Sequence, residues 1–179
     1  YDASLILQYL MNYIEFDWAQ ERLADVTLDS TISALDASVI LQYIVELVDS
    51  LPYDDTLNAL VATGNTWMED MQVHIGQEYQ LAVAMEEANN IYSIEGAIEF
   101  DPNAIQVNDL LWNQSFGNFF IEEESTDGLI RFVAAGINPV GGINELFKVN
   151  LEVLNGFSDA TSINLINLSS SLSINSNIL

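Results

Sequence analysis

Six oxygen-bearing residues stand at regular intervals in "DVTLDSTISALD", residues 25–36: Asp25, Thr27, Asp29, Thr31, Ser33 and Asp36. They occupy positions 1, 3, 5, 7, 9 and 12 of a twelve-residue loop, the spacing of an EF-hand calcium site. Calcium takes several hard oxygen ligands, and carboxylates at the first, fifth and twelfth positions can wrap it. Thr27 would add a hydroxyl, Thr31 its backbone carbonyl, and Ser33 an oxygen acting directly or through water. Ile32, in the eighth position, is placed to pin the loop to the core. The pattern is broken at three points. The third position is Thr27 rather than Asp or Asn, and the twelfth is Asp36 rather than the longer Glu. The sixth is Ser30, where glycine normally makes a sharp turn with positive φ. Each departure is expected to weaken binding. The alternative is a solvated loop that only caps the helix after it, because acidic stretches are common in a chain with 27 Asp and Glu residues.

Other chemistry is sparse. His74 is the only histidine and lies in the alternating stretch "MQVHIG", so a surface strand position is expected for it rather than a catalytic base. No serine motif stands with a histidine partner, and no glycine loop has the spacing that cradles phosphate. Glu122–Glu124 and Glu86–Glu87 could serve acid–base work on glycosides, but they read as solvated edges. Trp18, Trp67 and Trp112 could line a sugar platform, with buried anchoring as the commoner use. The chain is therefore expected not to be an enzyme. Its formal charge of −24, with Arg22, Arg131 and Lys148 as the basic residues, argues against nucleic acid or an anionic membrane as partner. There is no cysteine, which removes disulfides and thiol chemistry. No apolar run approaches the roughly 20 residues of a membrane span.

The elements that must position the loop come in two kinds. Residues 1–51 have helical periodicity. From Asp36, Val39, Ile40, Tyr43, Ile44, Leu47, Val48 and Leu51 form one broad stripe, with Asp36 as the expected cap and Pro52 as the stop. Leu5, Ile6, Tyr9, Leu10 and Tyr13 repeat the stripe behind Asp2, so a helical pair is expected. Residues 53–66 read as a connector with a short helical turn at Leu57–Val61. After it the period changes to two, in "MQVHIG", "YQLAVAM", "GAIEF", "LIRFV", "FKVNLEV", "SINLINL" and "SLSI". In "LIRFV" either Ile130 and Phe132 or Leu129 and Val133 can face the core. Turn signals at Asp101-Pro102-Asn103, Asp127-Gly128, Asn138-Pro139, Gly141-Gly142 and Asn155-Gly156 separate these runs. The fold class expected is α + β in two modules: a small antiparallel helical pair with an EF-hand-like loop over 1–52, then an all-β antiparallel sandwich or jelly roll over 67–179.

"DASLILQY" at residues 2–9 and "DASVILQY" at 36–43 are the same phrase written twice. Together with the loop, "DVTLDSTISALDASVILQYI" resembles a dockerin repeat, a calcium loop joined to one helix and present in two copies. Tyr1 and Asp2 match the last two positions of a first loop whose remainder is expected upstream, removed or unseen. The stretches "MQVHIGQEYQLAVAMEEANNIYSIEGAIEFDPNAIQV", "GLIRFVAAG" and "ELFKVNLEVL" resemble a cohesin module, the receptor for dockerins.

The double resemblance implies a non-catalytic scaffolding or adhesion protein, extracellular or at the cell surface, with Ca2+ as its cofactor. Its ligands would be Asp25, Thr27, Asp29, Thr31, Ser33 and Asp36. The implied partner-binding residues are Ala34, Leu35, Leu41, Gln42 and Glu46, with Tyr1, Leu7, Gln8 and Asn12 from the first copy. They are mostly apolar, small or amide residues, so the implied interface is apolar. The partner would be a cohesin- or dockerin-type protein, another copy of this chain included. Docking into the next molecule, head to tail into filaments, is expected over folding back, because the helices look too apolar to stay exposed. The alternative is a carbohydrate-binding module of a polysaccharide-degrading complex.

Overall fold

The computed structural model describes residues 2–53, 63–156 and 161–170. The alternating runs form β2 (Glu78–Asn89), β3 (Ile91–Phe100), β6 (Leu129–Val140), β7 (Glu145–Val153) and β8 (Ile163–Ser170). Three more strands join them: β1 (Thr63–Met68), β4 (Ile105–Trp112) and β5 (Phe120–Thr126). They make two four-stranded sheets of order β1-β2-β7-β4 and β5-β6-β3-β8, antiparallel at every pairing. The expected sandwich is thus present. Its core lies between the sheets, where Leu81, Val83 and Met85 of β2 and Phe147, Val149 and Leu151 of β7 meet Ile98, Ile130 and Phe132 of the other sheet. An aromatic knot closes one region of this core: Phe132 and Phe147 pack at 5.0 Å, and Trp112 stands 4.9 Å from Phe147 and 5.5 Å from Phe116.

Residues 71–75 are not a strand, although "MQVHIG" alternates. They form a loop ending in a turn at Ile75–Gly76, with Gly76 at φ +73, and Met71 and Ile75 are exposed. Alternation without a neighbouring strand to pair with does not make a sheet. Strand β1 begins at Thr63, inside the interval read as connector. Leu57–Val61 and "SLSI" lie outside the described residues. Asn138-Pro139 is not a turn between strands but sits within β6.

The helical residues form α1 (Asp2–Leu10), α2 (Trp18–Ala24) and α3 (Ala34–Ile44). The short α2 is signalled by Asp17 and Gln20, which form a reciprocal capping box at its start. Helix α3 begins three residues earlier than expected. Ser33 is its N-cap and Asp36 is the third helical residue, which turns back to accept the Ser33 N–H. It also ends seven residues before Leu51, so Leu47, Val48 and Leu51 are not on its stripe. The stop is Glu46, at φ +62. The Glu46 N–H donates to the Tyr43 carbonyl and the Leu47 N–H to the Gln42 carbonyl, a Schellman closure. Helix α1 ends the same way, with Asn12 at φ +59 and bonds from Asn12 to Tyr9 and Tyr13 to Gln8. The two copies therefore share their termination as well as their sequence. Asn tolerates the left-handed region, whereas Glu has no local compensation there. Glu46→Gly is expected to stabilise the helical module by about 0.5–1 kcal/mol. Urea unfolding of the variant checks this, and a gain of equal size from Glu46→Ala would point to some other cause.

The module does not stand apart. Helices α1 and α3 pack on each other and on the outer face of the β5-β6-β3-β8 sheet, making a second core. Ala3, Ile6, Leu7, Ala37, Val39 and Ile40 share it with Val133 and Ala135 of β6. This resolves the alternative left by "LIRFV": Ile130 and Phe132 enter the sandwich core while Val133 enters the second one. Strand β6 is buried without a break from Phe132 to Gly136, as a strand must be when both faces are covered.

Candidate functional site

The acidic loop runs from the end of α2 to the start of α3. Asp36 is its centre, with no exposed surface. One carboxylate oxygen accepts the Thr27 N–H at 3.0 Å and the Thr27 hydroxyl at 2.9 Å. The other accepts the Ser33 N–H at 2.9 Å and the Ser33 hydroxyl at 3.2 Å. Burial pushes the Asp36 carboxyl above the usual carboxylate range, and these bonds oppose the shift without cancelling it. The charge of Asp29 adds to the rise.

The sixth position keeps the turn the loop type needs: Ser30 lies at φ +71, a conformation glycine adopts without strain. Asp25 accepts the Ser30 N–H through one oxygen at 3.1 Å, while its other oxygen is buried without a hydrogen-bond partner. Asp29 accepts the Thr31 N–H at 2.8 Å. The orphaned Asp25 carboxylate oxygen fits a cation. The donor set fits less well, for Thr27 and Ser33 point hydroxyl protons at Asp36. Among the described residues, no three carboxylate or imidazole groups stand close enough to hold a metal ion.

The second feature is the covered sheet face. Its floor is made of Ser93 of β3 and Val133 and Ala135 of β6, all buried. Ala34, Ala37, Ser38 and Leu41 recur at helical spacing on α3, and small residues on both sides let helix and sheet approach closely. Directed hydrogen bonds cross the contact among the described residues. The Ala34 N–H, at the first turn of α3, donates to a Glu95 carboxylate oxygen at 2.9 Å, where the helix dipole favours an anion. The Ser38 hydroxyl donates to the Gly136 carbonyl at 2.6 Å. The Tyr13 hydroxyl donates to the Glu123 carbonyl at 3.1 Å.

The residues implied as partner-binding divide between two environments. Ala34, Leu7 and Gln42 are buried, and Leu35 and Leu41 are half-buried against the second core. Glu46 and Asn12 are exposed at the two helix ends, and Gln8 is half-buried with its amide on Ser4. Tyr1 lies outside the described residues. Ser38, Glu95 and Gly136 went unrecognised in the sequence. The unalternating "VAAG" inside a strand was the available sign of a second covered face.

The other candidates are engaged elsewhere. His74 is exposed in the 69–77 loop, where its backbone N–H donates to the Tyr79 hydroxyl. Glu123 accepts the Trp112 indole N–H at 2.6 Å, and burial raises its carboxyl, with the Trp112 bond lowering and Asp109 raising it. Glu124 pairs with Arg131 at 3.4 Å across the strands. Trp112 belongs to the aromatic knot on β4, Trp67 stands on β1 at the opposite edge of the same sheet and Trp18 lies on the exposed side of α2, so they line no common platform.

No protein-family model and no curated protein matches the chain. Solved structures do. A non-cellulosomal cohesin from the hyperthermophilic archaeon Archaeoglobus fulgidus matches with a TM-score of 0.51 at 21% identity, over 62% of this chain and 77% of that one. A chain from a type I cohesin–dockerin complex of Clostridium thermocellum matches with a TM-score of 0.54 at 15% identity, over 60% and 84%. The solution structure of a cohesin from Clostridium acetobutylicum matches with a TM-score of 0.54 at 14% identity, over 64% and 87%. At these identities the likeness is one of backbone: the two-sheet sandwich of this chain has the cohesin fold.

Proposed function

We propose that this chain is a non-catalytic protein–protein assembly module, extracellular or at the cell surface, in which a dockerin-like helical plug and a cohesin-like socket are carried together. The observation behind this reading is the seating of α3 on the outer face of the β5-β6-β3-β8 sheet of a cohesin-fold sandwich. One of the similar structures is itself a cohesin–dockerin complex. The contact has the anatomy of recognition rather than of linkage: an apolar centre, a few directed hydrogen bonds and a charged rim of Glu95, Glu124 and Arg131.

In this structure the plug sits on its own sandwich. The same contact made between chains is head-to-tail, and it yields rings or open filaments according to whether it closes. Calcium belongs to the proposal as well. It is supported by the orphaned Asp25 oxygen and the left-handed Ser30. Because Asp25, Asp29 and Asp36 do not converge as a cluster in this structure, binding would have to draw the loop in around the ion, neutralising it and bracing the start of α3.

Two complementary variants test the reading. Ala37→Asp spoils the plug and leaves the socket open, and Val133→Asp spoils the socket and leaves the plug free. Each alone is expected to be monomeric in size-exclusion chromatography with light scattering. Mixed, they are expected to form a one-to-one heterodimer, more of it in calcium than in chelator. A mixture that stays monomeric in both conditions would remove the assembly reading, and equal dimer yield in both would remove calcium from it.

A further inference from the structure

Strand β6 carries an irregularity where the plug lands. In its pairing with β3, Ile91 stands opposite Val140 and Ser93 opposite Ala135, so Tyr92 faces the four residues Gly136–Pro139. On the other side, pairing with β5 ends at Phe120 opposite Ala135. Gly136 therefore has no register partner on either neighbouring strand. It is buried, and a Cβ there would run into the Phe119 ring, so glycine is required for this path of the chain. A bulge of this kind frees a backbone group from the ladder. A carbonyl so placed under a helix must find a donor or remain unsatisfied away from water.

The donor is Ser38, itself without exposed surface. Its proton is directed by a third residue. The Gln42 side-chain N–H donates to the Ser38 hydroxyl oxygen at 3.2 Å, so that oxygen serves as acceptor on one side and donor on the other. The relay Gln42 to Ser38 to Gly136 is buried throughout and crosses from plug to socket. The first repeat offers an internal comparison. Gln8 donates to Ser4 at the same 3.2 Å, so the serine–amide pair is a local habit of both helices. Ser4 is exposed, whereas Ser38 of the second copy is buried and, among the described residues, is the one of the pair that meets a carbonyl.

Resting on the plug-and-socket reading, we infer that the Gly136 carbonyl is a recognition subsite that reads a serine hydroxyl on the docking helix, and that Ser38 of this chain's own helical module is the group it takes. A site built around a hydrogen bond discriminates strongly against an occupant that lacks the group, because its own polar atom is then left unpaired. The small floor of Ser93 and Ala135 sets the size limit beside it. The socket thus selects a helix with serine at this place and alanine one residue before, as in Ala37-Ser38. Shape alone would accept Ala-Ala equally well.

Ser38→Ala removes the hydroxyl without adding bulk, and Ser4→Ala makes the same change at the exposed copy. Hydrogen exchange on the full chain reads the docked state in cis. Ser38→Ala is expected to speed exchange of the α3 amides about ten- to hundred-fold while β2 and β7 are unchanged. Ser4→Ala is expected to leave both alone. In trans, adding Ser38→Ala to the Val133→Asp chain is expected to weaken its binding to the Ala37→Asp chain by a similar factor. An α3 exchange rate within about three-fold of the parent would overturn the subsite, as would equal effects of Ser38→Ala and Ser4→Ala. The exchange arm needs no intermolecular complex, so it stands even if the mixed variants fail to bind, an outcome that counts against the assembly reading alone.

Discussion

Val133→Asp is expected to lift the helical module off the sandwich while leaving the sandwich folded. Val133 is 1% exposed and belongs to the core shared with the helices, not to the core between the sheets. Its neighbours across the strands are Glu95 on β3 and Glu122 on β5, so a third carboxylate would sit between two others. A buried charge without a partner costs about 3–5 kcal/mol, and like charges in adjacent strands add to it. The molecule has an inexpensive escape: once α3 leaves, the introduced carboxylate faces water and the interior of the sandwich is untouched. Small-angle scattering should show a larger radius of gyration, with fast exchange in α3 and an unaltered near-ultraviolet signal from the Trp112 knot. A chain as compact as the parent, or one that unfolds throughout, would show that this residue is not placed as described.

Phe147→Ala is expected to do the reverse and damage the whole molecule. Phe147 has no exposed surface and contacts both Phe132 and Trp112. Its loss leaves a cavity at the meeting of the two sheets, where backbone pairing on β7 prevents collapse. The cost expected is about 3–5 kcal/mol, seen as a fall in Tm of roughly 10–15 °C. Helices and sandwich should melt together, because the floor beneath α3 is the outer face of the sheet that Phe132 anchors. A fall below about 3 °C would mean that the knot is not central to stability. The two substitutions thus separate the two cores: one opens the contact between modules, the other weakens the body that carries it.

Much of this was legible in the chain. Period-two runs marked β2, β3, β6, β7 and β8, because side chains on a pleated strand must alternate between a core and another surface. The repeated "DAS-x-ILQY" marked two equivalent helices, and the acidic spacing marked the loop between α2 and α3. Strands β4 and β5 were harder to read. "IQVNDLLW" breaks its alternation at a register shift near Asn108, and "FIEEEST" looks like solvated charge, although Trp112 and Arg131 engage two of its glutamates. The length of α3 was misjudged because apolar spacing continues past Glu46, where the backbone turns left-handed and the helix closes on itself.

By itself, the sequence determined periodicity, and with it which segments become helix or strand, which of their faces are apolar, and where the oxygen-rich loop lies. These are properties of neighbours along the chain, set by the geometry of the backbone. Only the tertiary structure decided that the apolar face of α3 is covered by this chain's own sheet, and that Asp36 closes on Thr27 and Ser33. It alone brought Ser38 to the carbonyl of Gly136, 98 residues away. Such pairings depend on which surfaces meet and on a bulge that frees one backbone group. No local spacing encodes a partner so distant in the chain.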